Sequence, residues 1–143
     1  MDKADLLKAE YLHLQSVVES FDQRSLTIKA WSVSLAAGVG ALGAEHEESL
    51  LVIAGSALMF WLIEGYWKSF QDAYYTRTRE LEAFFAGEIA DVVPMQIGRS
   101  WYKAWRKGGR KRLMRIMRWP HVALPHVVVV IVSLVIYFIR LAA

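Results

Sequence analysis

No cysteine occurs anywhere in the 143 residues, which excludes disulfides, thiol nucleophiles, iron–sulfur clusters and cysteine-based zinc sites together. Nor is there a nucleophile–base–acid spacing, a phosphate-binding loop or a pair of catalytic carboxylates, so no enzyme is expected. Charge is missing just as sharply from three stretches, 30–44, 49–63 and 122–139, none of which holds an Asp, Glu, Lys or Arg. Acids are missing from 99–118, which carries nine Lys/Arg. Hydrophobic residues make up 55% of the chain, above the roughly 45–50% of ordinary soluble domains. Segregation of this kind excludes both a water-soluble globule and a disordered chain. It predicts an all-α membrane protein with three transmembrane helices.

A spanning helix needs about 20 mostly apolar residues. Residues 120–141 meet this outright. The first span, 26–44, reaches that length if Lys29 extends its ammonium to the headgroups, and the second, 49–67, if Glu64 sits near the interface. The first apolar stretch begins only after 25 polar and amphipathic residues, so a signal peptide is not expected. Between the first two spans lies the turn 45–48, with three glutamates and His46. Residues 68–118 hold twelve basic side chains, and the N-terminal arm together with Lys29 holds four. Lys/Arg-rich flanks stay in the cytoplasm, so the chain is expected in the inner (plasma) membrane with its N-terminus inside and its C-terminus outside. Trp31, Trp67 and Trp119 fall near the inner boundary, where indoles favour the interface.

Outside the spans, residues 1–25 form a cytoplasmic amphipathic helix. Leu7, Tyr11, Leu14, Val18, Phe21, Ser25 and Ile28 are spaced alternately four and three, a heptad seam that runs into the first span. Residues 68–86 extend the second span with Trp67, Phe70, Tyr74, Arg77, Leu81 and Phe84 in the same rhythm. A turn centred between His46 and Glu47 pairs residues whose numbers add to about 93, setting Phe21 by Phe70, Val18 by Tyr74, Tyr11 by Leu81 and Leu7 by Phe84. The first two spans are thereby predicted to form one long antiparallel hairpin extending into the cytoplasm, each arm roughly 55–65 Å long. Lys29 and Glu64 share that register. They read either as an interfacial structural pair or as an ion- or proton-sensing gate at the inner mouth of a pore, with Lys68 one turn beyond Glu64 in a favourable i,i+4 arrangement.

Gly38-Val39-Gly40-Ala41-Leu42-Gly43 matches a dinucleotide-binding pattern, but no strand precedes it and it lies inside an apolar helix. Ala36, Gly40 and Ala44, with Gly55 on the second span, instead supply small residues for close helix packing. Among the histidines, His13 lies on the arm and His121 at the start of the last span. His126 follows Pro125 inside an apolar run, where a polar side chain faces protein or water, either lining the helix or taking a proton. No His pair at metal-ligand spacing is present, and His46 among three glutamates reads as a solvated loop, so no metal or other cofactor is expected.

Gly87 and Gly98 bracket a connector, 87–98, in which Pro94 disfavours helix. The basic segment 99–119, broken at Gly108-Gly109, mixes bases with aromatics. Beside a span it reads as an interfacial helix contacting anionic lipid of the cytoplasmic leaflet through Arg99, Trp101, Lys103, Trp105, Arg110, Lys111, Arg112, Arg115 and Arg118. Nucleic acid is the rival partner.

The order of cytoplasmic helix, tight transmembrane hairpin and second cytoplasmic helix, carried by 7–21, the two spans and 67–84, resembles the SLATT-type two-span effectors of bacterial conflict systems. The basic segment and the third span are additions to that order. The resemblance implies self-assembly into a membrane-perturbing pore. The expected function is therefore a homo-oligomeric channel or pore-forming effector. The alternative is a non-catalytic scaffold or accessory subunit docking a cytoplasmic partner.

Overall fold

The computed structural model describes residues 2–43 and 45–142. Four helices account for nearly all of it: α1 (Lys3–Leu42), α2 (Glu48–Phe85), α3 (Ile97–Met117) and α4 (Pro120–Ala142). No strand occurs among the described residues. Helices α1, α2 and α4 are each long and apolar enough to cross a membrane.

The helix ends follow from local chemistry. At the start of α1 the Asp2 N–H donates to the Asp5 carboxylate at 3.2 Å, satisfying one of the donors a helix leaves open. The turn after α1 is tight: a Cβ on Gly43 would come within 2.6 Å of the Ser49 Cβ. Ser49 Oγ closes it, 2.8 Å from the Gly43 carbonyl and 2.7 Å from that of His46. Helix α2 stops at Gly87, whose φ of 77° suits glycine. The Glu88 and Gly87 N–H groups return to the carbonyls of Ala83 and Phe84, a Schellman closure. Pro120 opens α4, where its missing N–H leaves no orphan donor.

Helix α2 is the central element, packed against all three others. Along α1 and α2 residue numbers run in opposite senses: Tyr11 bonds Glu82, Ser25 bonds Glu64, and Gly40 faces Ile53. The arm from Lys3 onward and the apolar stretch that follows it form one unbroken helix. At its far end Leu7, Leu14 and Leu81 are buried together with Val92 of the connector, and Tyr11, Tyr74, Phe84 and Ile97 pack around them. Phe21 packs at a tilt against Trp67 at 4.7 Å and Tyr74 at 5.8 Å, whereas Phe70 turns to Trp105 at 4.5 Å and Trp101 at 6.2 Å. The expected Phe21–Phe70 contact is replaced because α3 supplies two indoles that cover Phe70 from the other side.

Helix α3 is two helical pieces meeting at Gly109, whose φ of 50° and ψ of −154° are non-helical. Gly108 beside it leaves room for the Arg112 side chain, whose Nε would lie 2.3 Å from a Cβ there. The guanidinium crosses that bare backbone to reach the Ala104 carbonyl at 2.7 Å and Asp72 at 3.1 Å.

Candidate functional site

On α1, Ser25, Lys29 and Ser32 are spaced four and three apart and share one face. Ser25 and Ser32 occupy seam positions where the arm carries leucines, and both are buried. On α2 the corresponding residue is Glu64, and on α4 it is His126, each with no exposed surface. Three separate helices thus direct polar side chains into one cluster.

The Glu64 carboxylate is its centre. Its Oε1 accepts from the Ser25 hydroxyl at 2.6 Å and forms an ion pair with the Lys29 ammonium. Its Oε2 lies 2.9 Å from His126 Nε2. His126 Nδ1 lies 3.0 Å from Ser32 Oγ, and Lys29 Nζ donates to Ser25 Oγ at 3.2 Å. A neutral His126 protonated on Nε2 satisfies every partner: it donates to Glu64 and accepts from Ser32. In that state Lys29 and Glu64 cancel and the cluster is neutral, which lowers the cost of enclosing it.

Lys29, Glu64 and His126 are therefore brought together. The i,i+4 contact from Glu64 to Lys68 is not formed. Lys68 turns instead to Asp22 on α1, with which it forms an ion pair, and to Gln71 Oε1 at 3.0 Å. Gln71 in turn donates to the Val18 carbonyl at 2.9 Å and to Asp22 at 3.0 Å. Burial works against the Asp22 carboxylate, but the hydrogen bonds from Lys68 and Gln71 outweigh it and hold the group below the ordinary aspartate range.

A third polar knot lies beyond it. Arg77 grips Glu10 through two bonds, Nε–Oε1 at 2.8 Å and Nη2–Oε2 at 3.0 Å, and also reaches Glu80 at 2.8 Å and the Val93 carbonyl at 2.7 Å. Glu10 Oε2 accepts the Met95 N–H at 2.8 Å, which fixes Met95 at a φ of 60°. Burial opposes the Arg77 charge, yet its bonds to Glu10 and Glu80 raise it above its ordinary value. The signal in the sequence was an arginine standing at an apolar seam position, opposite an arm with one glutamate at matching depth.

The basic stretch divides into groups. Trp101 and Trp105 stack in parallel on Phe70, and Trp101 Nε1 donates to its carbonyl at 3.0 Å. Arg112 is held by Asp72. Arg99 and Lys103 border a polar recess of about 430 Å³ with Arg77, Glu80, Asp91 and Ser100. Arg110, Lys111, Arg115 and Arg118 surround a separate hollow.

Of the small residues, Ala36 and Gly40 line an apolar groove of about 410 Å³ shared with Ile53, Val129 and Ser133. Gly55 faces open space, and Ala54 and Ala57 are the small residues that α2 buries. Ala44 lies outside the described residues. His13, His46 and His121 are exposed. Among the described residues no three His, Asp or Glu side chains converge as metal ligands. No protein-family model, curated protein or solved structure matches the chain.

Proposed function

We propose that this is a multi-pass membrane protein of the inner membrane that assembles with copies of itself into a narrow ion- or proton-conducting unit. In this reading α1 and α2 form an antiparallel hairpin whose apolar half crosses the bilayer while residues 3–25 and 68–85 project into the cytoplasm. Helix α4 crosses again and leaves the C-terminus outside. The observation that carries it is Glu64: a carboxylate without exposed surface, held by Lys29 and His126 where three membrane-length helices meet. Charges at membrane depth are costly, and they are retained where they serve ion pathways or proton relays.

A route toward the cluster supports the reading. Ser133 and Arg140 follow His126 at seven-residue steps on α4, about 10 Å apart along the helix. Both border the groove between α1, α2 and α4. A pathway along that groove is narrow and largely apolar, of the kind that gates by dewetting.

The second reading, a scaffold or accessory subunit docking a cytoplasmic partner, is favoured by the residue 3–25 and 68–85 half. There Glu10–Arg77 and Asp22–Lys68 close their charges within the chain, as suits a rigid mount. Ion flux into liposomes carrying the purified protein separates the two. A conducting unit shows flux whose selectivity or pH dependence changes in Glu64→Gln. Correctly assembled protein without flux across voltage, pH and osmotic stress makes the scaffold the function. Flux unchanged by Glu64→Gln removes this residue from the pathway.

A further inference from the structure

The second piece of α3 turns two different faces to its surroundings. Ile116 has no exposed surface, and Met117 lies against Gly65, where a Cβ would come within 2.6 Å of Met117 Cγ. The Trp61 indole donates to the Met117 carbonyl at 3.1 Å. These contacts pin the piece to α2 at the level of Glu64, where the surface of α2 changes from apolar to polar. Its other face holds Arg110, Lys111, Arg115 and Arg118, which with Met114 and Trp119 line a hollow of about 480 Å³. None of these lining residues is acidic, and Met114 is 52% exposed. Pro120 and the apolar α4 follow directly.

We infer that this hollow is a binding site for the phosphate-bearing headgroup of an anionic phospholipid. Four cations converge where a headgroup lies, and Met114 and Trp119 offer apolar surface to the adjoining chain region. Nucleic acid is disfavoured by the same geometry. The aromatics that would stack on bases, Trp101 and Trp105, are stacked on Phe70. The site is narrower than the basic stretch as a whole: Arg112 belongs to Asp72, and Arg99 and Lys103 face a different recess. The inference rests on the membrane reading of α4 and is independent of conduction.

The test uses the full chain reconstituted into bilayers of phosphatidylcholine with a minority of phosphatidylglycerol. The lipid retained on extraction is counted by native mass spectrometry. Wild type should retain phosphatidylglycerol above its bulk share. The variant Arg110→Gln, Lys111→Gln, Arg115→Gln, Arg118→Gln should lose that enrichment by about tenfold or more. A variant losing the same charge elsewhere (Lys8, Arg99, Lys103 and Lys107 to Gln) should keep it. Because Arg115 also touches Asp72 at 3.4 Å, a triple variant that spares it guards against misfolding and should show most of the loss. Equal loss in both four-residue variants would reduce the effect to net charge and overturn the site. Displacement of the lipid by inorganic phosphate would make it a free-anion site instead. Unchanged enrichment with lost binding of an RNA homopolymer would overturn it in favour of nucleic acid. Protein that washes off the bilayer in alkaline carbonate would overturn the membrane reading itself.

Discussion

Helix α2 is packed in two opposite ways along its length. Over 48–63 it buries Ile53, Ala54 and Ala57 and turns Leu51, Val52, Leu58, Met59, Leu62 and Ile63 outward. From Lys68 onward it buries Lys68, Ser69, Gln71, Arg77 and Thr78 beside Ala73 and Leu81, with Glu64 and Gly65 buried at the boundary between the two. Helix α1 repeats the contrast. Its arm buries Leu7, Leu14 and Val18 together with the paired Glu10, while beyond residue 25 it buries Ser32 and leaves Trp31 65% exposed. One pair of helices therefore obeys two packing rules. In lipid, apolar surface gains nothing by turning inward, so small residues and hydrogen-bonding groups hold helices together. In water an apolar seam forms the contact, and charges enter it only as closed pairs.

A magnitude favours lipid around the first half. Leu51, Val52, Leu58, Met59, Leu62 and Ile63 are each more than two-fifths exposed. Left in water at about half their surface, six such side chains forfeit on the order of 4–9 kcal/mol. That is comparable to the net stability of a typical domain, about 5–15 kcal/mol.

The contrast is tested most severely in the polar half. Arg77→Ala leaves the Glu10 carboxylate enclosed without its cation, with the Val93 carbonyl also bereft. It should cost about 3–5 kcal/mol, read from denaturant unfolding in mild detergent. Glu10→Met combined with Arg77→Met should recover much of that loss, because no lone charge remains. A single variant with an effect under about 1 kcal/mol would mean that the closed pair does not organise this half.

A somewhat smaller effect compares the two surroundings directly. Leu58 is 48% exposed at the centre of the apolar half, and Thr76 is exposed in the polar half. Leu58→Lys should cost about 2.5–3.5 kcal/mol in membrane insertion. Thr76→Lys should fall within about 0.5 kcal/mol of wild type. Equal outcomes for the two lysines in a bilayer insertion assay would erase the distinction between the halves.

How much of this was legible in the sequence depended on periodicity. The seams 7–28 and 67–84 reveal themselves because leucines and aromatics recur every three or four residues, and the shared register of Lys29 and Glu64 follows from a turn of known position. His126 was conspicuous as a polar residue in an apolar run. Its meeting with Glu64 was hidden, because the seven-residue series His126, Ser133 and Arg140 marks one face of α4 without naming the helix that face meets. Arg77 stood in plain view at a seam position with Glu10 at matching depth, but the further bonds of this pair to Val93 and Met95 come from the connector folding back. The same folding brings α3 over Phe70, so a residue spaced for α1 faces indoles that lie more than thirty positions later in the chain.

The smallest effect concerns Asp22, at the near end of the polar half, where the two packing rules meet. Burial disfavours its charge, and the bonds from Lys68 and Gln71 more than offset this, so its folded-state pKa lies below the ordinary value. A depressed carboxylate stabilises the fold fully above its unfolded pKa of about 3.9. That contribution is lost as pH falls below about 4 and through the folded value. With a side chain 54% exposed, the pair is screened by water and is worth about 0.2–1 kcal/mol. Asp22→Asn should therefore lower stability slightly at neutral pH and flatten the acid limb of the curve, converging with wild type once the carboxyl is protonated in the folded state as well. Unfolding midpoints measured from about pH 7 to about pH 2.5 in the same detergent would check it. A constant offset down to the lowest pH would mean that the substitution had merely cost packing. Lys68 would then be held by Gln71 and its own burial rather than by the Asp22 charge, and the closed-pair rule would begin only at Glu10 and Arg77.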